Sequence, residues 1–428
     1  MRMTVSCLAL TAIACGSWCA QAGDWPRFRG PDGSGVSSET GLPTEWSETQ
    51  NLAWKATLPG PGSSSPIVAG DRVLVTCYSG YGVSKSNPGD PKNLVRHLVC
   101  LNLRDGRPLW QQTIQASVPE DPYEGMLTEH GYASSTPLAD GQQVFAFFGK
   151  SGVYAFDLEG KPLWRTNVGT GSAIMGWGSG TSLVLHKNLV IVNANTESES
   201  LVALDRKTGR EVWKAEAKGY TGSWRTPELA DRPGGKKELV VFMPGEVWSL
   251  HPDDGGVLWY CTGISGAATT SVVAKEGIVY VIGGGPMGSG SAAIRSGGRD
   301  DVSASNILWK QRTGSYVPSP LLLDGHLYWV EDRGTACCLK ADTGREVYRQ
   351  RLPEAGGVYA SLVAADGKLF AVTRRNGTFV LPAGPEFKVL ARNRFSSDAT
   401  DFNASPAVAQ KSLLLRSNQA LYCIRAAR

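Results

Sequence analysis

The chain has 428 residues, with 43 Lys plus Arg against 39 Asp plus Glu, five His and a formal net charge of +4. That balance, with no basic run longer than a pair such as Lys236-Lys237, excludes a nucleic-acid or anionic-membrane surface, which needs a concentrated positive patch. The 51 Gly and 13 Trp suit many strands joined by tight turns.

In chain order, residues 1–22 read as a signal peptide. Arg2 gives a positive start, Val5 to Gly16 is mainly apolar, and Ala20-Gln21-Ala22 is a small-x-small cleavage site. The apolar run is too short to span a bilayer, and no later stretch is long enough for a membrane helix. A retained anchor is the alternative, as is a lipoprotein at Cys15, although "AIAC" lacks the Leu expected three residues before the Cys. The expected location is periplasmic or secreted after cleavage near Ala22. Residues 23–50, "DWPRFRGPDGSGVSSETGLPTEWSE" and its continuation, form an N-terminal arm. Residues 51–428 form the main domain.

That domain is repetitive, and repetition has to be read before local structure. The phrase "LVALDRKTGREVW", ending at Trp213, recurs in variants ending at Trp110, Trp164, Trp259 and Tyr348, with decayed copies ending at Trp309 and Leu390. The intervals of 39 to 54 residues match the propeller-blade period of about 40–50. Each copy follows a small-polar opening ("SSSPIV", "SSTPLA", "GTSLVL", "RTPELA", "TTSVVA", "PSPLLL", "ASLVAA", "ASPAVA") and a β-rich run, which is strand and not helix chemistry. Each unit therefore reads as four strands. In the phrase, Asp205 can cap the turn, Gly209 supplies positive φ, and Trp213 brings apolar area between blades. Eight openings meet only seven endings. The missing ending is "NLAWKATLPG" (Asn51–Gly60), whose Trp54 strand should complete the last blade and close an eight-bladed ring.

The units resemble pyrroloquinoline-quinone (PQQ) repeats, from about Trp25 to Arg425. The "A/D-x-x-T-G-x-x-hydrophobic-W" copies are the specific element, and length, export signal and blade number are similar to BamB-type propellers. The arm resembles that of secreted propellers from planctomycete-type bacteria. The resemblance implies an all-β, eight-bladed propeller of four-stranded PQQ-like blades closed by an N-terminal strand. In the related alcohol dehydrogenases it implies a quinone beside calcium, an Asp base, a stacking Trp and a vicinal disulfide.

That apparatus is hard to find here. Cys337-Cys338 matches the vicinal pair, but the two sit in a strand, where successive side chains face opposite ways. Cys77 and Cys100 could pair or stay buried thiols. Asp253-Asp254 and Asp300-Asp301 are adjacent pairs in turns without the spaced oxygens of a calcium loop, and the five His show no zinc spacing. "GGGPMG" (283–288) matches a dinucleotide fingerprint but lacks the following helix. No metal, no catalytic residue and no cofactor is expected; PQQ with calcium is the alternative.

Propellers bind ligands at the channel mouth, on loops entering the inner strands. Those loops carry Glu129, His130, Tyr132, Trp177, Trp224, Arg225, Tyr316, Tyr359, Asp401 and Asn403, aromatic and polar groups of the kind that build ligand sites. The reading is an exported, non-catalytic and monomeric binding or scaffold protein. Its ligand at these loops would be an envelope protein, peptide or glycan. The alternative is a PQQ-dependent alcohol or sugar dehydrogenase.

Overall fold

The computed structural model describes residues 23–426, apart from 117–118, 174, 221, 267–268 and 286–287. The expected signal peptide and cleavage site lie outside the described residues. The architecture is the expected one. Eight antiparallel four-stranded blades are arranged as a propeller, one of them with a short fifth strand at its outer edge. Blade 1 is typical: Ile67–Ala69, Arg72–Ser79, Val95–Asn102 and Pro108–Gln115 run from the inside outward. The first strands of neighbouring blades touch one another and surround a central channel. Blade 8 joins both ends of the chain. Its first three strands are Ala407–Ala409, Ser412–Arg416 and Ala420–Ile424, and its fourth is Leu52–Thr57, with Trp54 opposite Cys423. Among the described residues the only α-helices are the four-residue turns Leu127–His130 and Asn195–Ser198, and no helix is long and apolar enough to cross a membrane. Gly283 pairs with Gly290, so "GGGPMG" joins two strands of blade 5.

The repeated phrase works as a lock between blades. Asp205 accepts from the N–H groups of Lys207 and Thr208 (3.2 and 2.8 Å), and Gly209 N–H donates to the Asp205 carbonyl (2.8 Å). Gly209 stands at φ +71°, and a methyl group there would lie 2.5 Å from the ring of Trp164 in the preceding blade. Trp164 Nε1 then donates to the Arg206 carbonyl in the same turn, at 2.9 Å. The indole of one blade thus lies flat on the turn glycine of the next, which satisfies its N–H while burying its face. Trp54 on Gly106, Trp110 on Gly160, Trp213 on Gly255 and Trp309 on Gly344 repeat the contact. Their Nε1 atoms donate to carbonyls of the next turn at 2.8–3.1 Å.

Three junctions lack it. No turn glycine of blade 5 lies under Trp259, which instead donates to Glu238 of its own blade (2.9 Å). A short parallel strand, Asp300–Asp301, covers that edge. Between blades 6 and 7, Tyr348 meets Phe387 (5.5 Å). Between blades 7 and 8 the arm fills in. Trp46, only 4% exposed, packs on Phe370, and its backbone N–H donates to Asn393 Oδ1 (2.9 Å).

The arm also crosses the channel end opposite the loops. Trp25 pairs with Val68 of blade 1 and Pro26 accepts from Ala139 of blade 2. Arg27 makes a two-pronged pair with Glu228 of blade 4 (2.7 and 3.1 Å). Arg29 reaches the Pro320 carbonyl of blade 6, and Val36 pairs with Ala364 of blade 7. The six cysteines among the described residues are free and buried. Cys77 and Cys100 belong to different core clusters, as do Cys337 and Cys338.

Candidate functional site

Each opening places one hydroxyl where the first strand of its blade begins: Ser65, Thr136, Ser182, Thr226, Ser271, Ser319, Ser361 and Ser405. They form a girdle round the channel. The backbone N–H of each of the first seven donates to the hydroxyl of the next, at 2.9–3.2 Å. An innermost strand has a free edge, and its N–H groups need partners. A hydroxyl from the neighbouring blade supplies one and fixes the spacing of the blades together.

Above the girdle stands an aromatic rim. Trp177 and Trp224 meet at 4.8 Å between ring centroids, with Trp224 Nε1 donating to the Gly178 carbonyl (2.7 Å). Tyr359 and Met126 complete that part of the wall, and below the girdle Phe28 of the arm forms the floor. The result is a blind cavity of about 160 Å³, open toward the loops and closed by the protein's own arm.

The charged groups at the mouth are bonded to one another, three cations to two carboxylates. Arg374 is the hub. Nε donates to Asn403 Oδ1 (2.9 Å), Nη1 to Glu129 (2.5 Å) and Nη2 to Asp401 (2.9 Å). Its guanidinium also lies 4.5 Å over the Tyr359 ring, a favourable stacking geometry. Lys85 takes the second Glu129 oxygen and Arg375 the second Asp401 oxygen. Burial pushes the Glu129 carboxyl up, but the hydrogen bonds from Lys85 and Arg374 win and hold it below its ordinary value.

His130 also lines the cavity. Nε2 faces the Trp177 carbonyl (2.9 Å) and therefore carries the proton, and Nδ1 accepts from Ser134 Oγ (2.6 Å). The Ser–His contact has the spacing of a nucleophile and base. Burial, however, drives the imidazole down to about 4, against the carbonyl that favours its charge, so it is a weak base at neutral pH.

Of the ten residues expected at the mouth, His130, Trp177, Trp224, Tyr359 and Asn403 line the cavity. Glu129 and Asp401 stand behind it, paired to Arg374. Tyr316 lies on the same loop face, with its backbone carbonyl accepting from Thr269 of the cavity wall. Two turn away. Tyr132 is buried among Tyr78, Tyr81 and Tyr123 and donates to the Asp121 carbonyl (2.7 Å). Arg225 is fully buried, with Nη1 donating to the Phe242 and Met243 carbonyls and its guanidinium 3.4 Å over Phe242. Burial lowers its pKa well below the ordinary value. It is a brace inside blade 4.

Sequence reasoning missed Arg374, Ser134, Phe28 and the girdle. Arg374 sits in the turn between the second and third strands of blade 7, not in a loop that enters an inner strand. The girdle residues were in plain view, but as punctuation marking where blades begin.

Fold and site together define an eight-bladed PQQ-type propeller whose channel is a blind pocket. The chain belongs to the family described as outer membrane protein assembly factor BamB, whose model matches residues 92–235, 197–295 and 245–384. It is 34% identical over 127 residues to outer membrane protein assembly factor BamB of Xanthomonas campestris pv. campestris, covering 29% of this chain and 27% of that one. It is 29% identical over 127 residues to tetrathionate hydrolase of Acidianus ambivalens, covering 26% and 24%. The chain thus matches about a quarter of the length of these curated relatives. Among solved structures, BamB of Moraxella catarrhalis superposes with a TM-score of 0.61 at 12% identity, over 87% of this chain and 97% of that one. Quinohemoprotein alcohol dehydrogenase of Comamonas testosteroni gives 0.54 at 14% identity, over 96% and 82%. At such identities the likeness concerns the fold alone.

Proposed function

We propose that this is a non-catalytic binding protein of the cell envelope, one that takes the end of an extended peptide or glycan into its blind channel. The observation that carries the reading is the aromatic rim over a hydroxyl girdle, closed below by Phe28. Aromatic faces and a few convergent polar groups in one concavity suit an uncharged ligand body. Membership in the BamB family supports an envelope location and an envelope partner.

The rival is a quinone-dependent dehydrogenase, which the fold of the Comamonas enzyme makes worth testing. The residues do not fit the group. PQQ carries three carboxylates and works beside calcium, whereas Lys85, Arg374 and Arg375 at the mouth each already bond Glu129 or Asp401. Among the described residues no cluster of three His, Cys, Asp or Glu could hold a metal. Cys337 and Cys338 lie in the core on opposite faces of blade 6.

The test has two arms. Soluble peptidoglycan fragments and short envelope-derived peptides are titrated against tryptophan fluorescence. Quenching by one of them should weaken at least about tenfold in Trp177→Ala/Trp224→Ala, the loss of two stacking faces. Undiminished affinity in that variant excludes the channel mouth. In the second arm the protein is mixed with PQQ, calcium and a redox dye; dye reduction with any alcohol or sugar overturns the non-catalytic reading.

A further inference from the structure

The walls of the channel are neutral, but its floor is not. Two arginines of the arm, Arg27 and Arg29, flank Phe28 and are 8% and 2% exposed. One buried carboxylate serves them both. Glu228 takes both prongs of Arg27, and the other carboxylate acting on Arg29, Asp32, is exposed to solvent, where water screens it. Arg29 has only carbonyl partners, Ser34 and Pro320, both on Nη2. Its Nε and Nη1 are buried without a hydrogen-bond partner among the described residues. Burial lowers its pKa to about 10, so it is charged at neutral pH. No carboxylate therefore bonds Arg29, and Glu228 and Asp32 act on it only from a distance; its charge lies at the closed end, beside Pro320, the residue that follows Ser319 of the girdle. Arg225 is likewise buried on carbonyls, but inside blade 4; Arg29 is bonded to Pro320 at the channel end, where an anion would offset the cost of burying its charge.

The girdle points the same way. Seven of its hydroxyls each accept a backbone N–H. None donates its own proton to an acceptor among the described residues, although all eight line the cavity. A hydroxyl that has accepted an N–H keeps its proton to give. The lumen thus offers a ring of donors, best met by a group that only accepts.

We infer that the end of the ligand inserted into the channel carries a carboxylate, held by the hydroxyl girdle from the sides and drawn from below by the charge of Arg29, which no carboxylate bonds. This rests on the binding reading above and adds the chemistry of the ligand's tip. Two sources supply such a tip, a peptide C-terminus and an acidic sugar, and the experiment separates them.

Calorimetry and tryptophan quenching on the unmodified protein compare tri-alanine with tri-alanine amide, and N-acetylmuramic acid with N-acetylglucosamine. The acid of at least one pair should bind about tenfold more tightly than its neutral partner, the size of one charge-assisted contact. The pair that discriminates identifies the source. In Arg29→Gln the preference should fall to within about twofold, while Arg29→Lys should keep part of it. Circular dichroism and Tm confirm that each variant folds, and the acid-against-neutral comparison stands without either. Neutral and acid probes binding equally well overturn the carboxylate inference and leave the binding reading intact. No quenching and no heat with any probe overturns both.

Discussion

Around this ring, junctions come in two kinds. From blade 8 through 1, 2 and 3 to blade 4, and again from 5 to 6, a Trp lies flat on the turn glycine of the next blade. From 4 to 5, 6 to 7 and 7 to 8 that contact is absent, and each gap has its own remedy: a short covering strand, a Tyr–Phe pair, and the arm. The locked arc depends on residues local to the repeat. The unlocked junctions depend on segments inserted once, so a blade can lose its lock if another part of the chain covers the exposed edge. A closed ring needs every junction, and its stability should therefore be set where the seal is borrowed.

The sharpest way to break that comparison is at the arm's seal. Trp46→Ala removes a buried indole from the junction of blades 7 and 8 and should cost about 3–5 kcal/mol. Hydrogen exchange should rise first in blades 7 and 8, while blades 1 to 3 hold their protection until global unfolding. A uniform rise around the ring would show that the two kinds of junction are energetically alike.

The locked arc was legible because its chemistry is periodic. Asp205, Gly209 and Trp213 recur at blade spacing, and a turn plus a packing anchor can be recognised from residue type alone. Trp54 could be assigned to closure by counting endings. The remedies at the other junctions are single occurrences. Trp46 meeting Phe370, or Asp300 pairing beside Trp259, joins segments with no local pattern linking them. The candidate site divides the same way. The loops entering the inner strands were found, since every blade has one. Arg374, on another set of turns, and Phe28, on the arm, reach the channel only through the three-dimensional path of the chain. Arg225 misled because a charged residue beside Trp224 reads as a ligand group, whereas its guanidinium turns inward to backbone carbonyls.

A perturbation confined to the locked arc comes next in size. Glu197, 3% exposed in blade 3, accepts from Ser179 and leaves Oε2 unpaired. Burial raises its carboxyl to about 7 from an ordinary value near 4.5, against the Ser179 hydrogen bond. The folded chain therefore holds a proton that the unfolded chain releases. Stability from this group is greatest below pH 4.5 and is lost as pH rises through 7, on the order of 3 kcal/mol in all. His130 acts in the opposite sense, losing stability as pH falls from 6.5 toward 4. Comparing Glu197→Gln with the parent cancels the histidine. The variant should gain on the parent steadily between pH 4.5 and 7 in denaturant titrations, with the change in exchange confined to blades 2 and 3. A constant difference across that range contradicts a buried neutral carboxyl.

The smallest effects test the lock itself, through one glycine from each kind of junction. Gly209 stands at φ +71°, with the Trp164 ring 2.5 Å from where a methyl group would go. Gly209→Ala must accept left-handed backbone strain and push the indole off its turn, a loss of about 2 kcal/mol. Gly384 occupies the corresponding turn of blade 7, with no positive φ and nothing within 4 Å of the same methyl group. Gly384→Ala meets neither penalty and restricts only the unfolded chain, so it should raise stability by about 0.4–1 kcal/mol. The opposite signs at equivalent places in the repeat are what a lock predicts, and denaturant midpoints read them directly. If both substitutions destabilise equally, the glycine serves the turn alone and the contact with the preceding indole is incidental. If Gly209→Ala is harmless, the indole is held by its Nε1 bond to Arg206 and the flat contact contributes little. The paired result, loss at Gly209 and gain at Gly384, separates a turn glycine held at positive φ beneath an indole from one that is neither, and ties the repeated turn glycine to the places where no strand, ring pair or arm does the sealing.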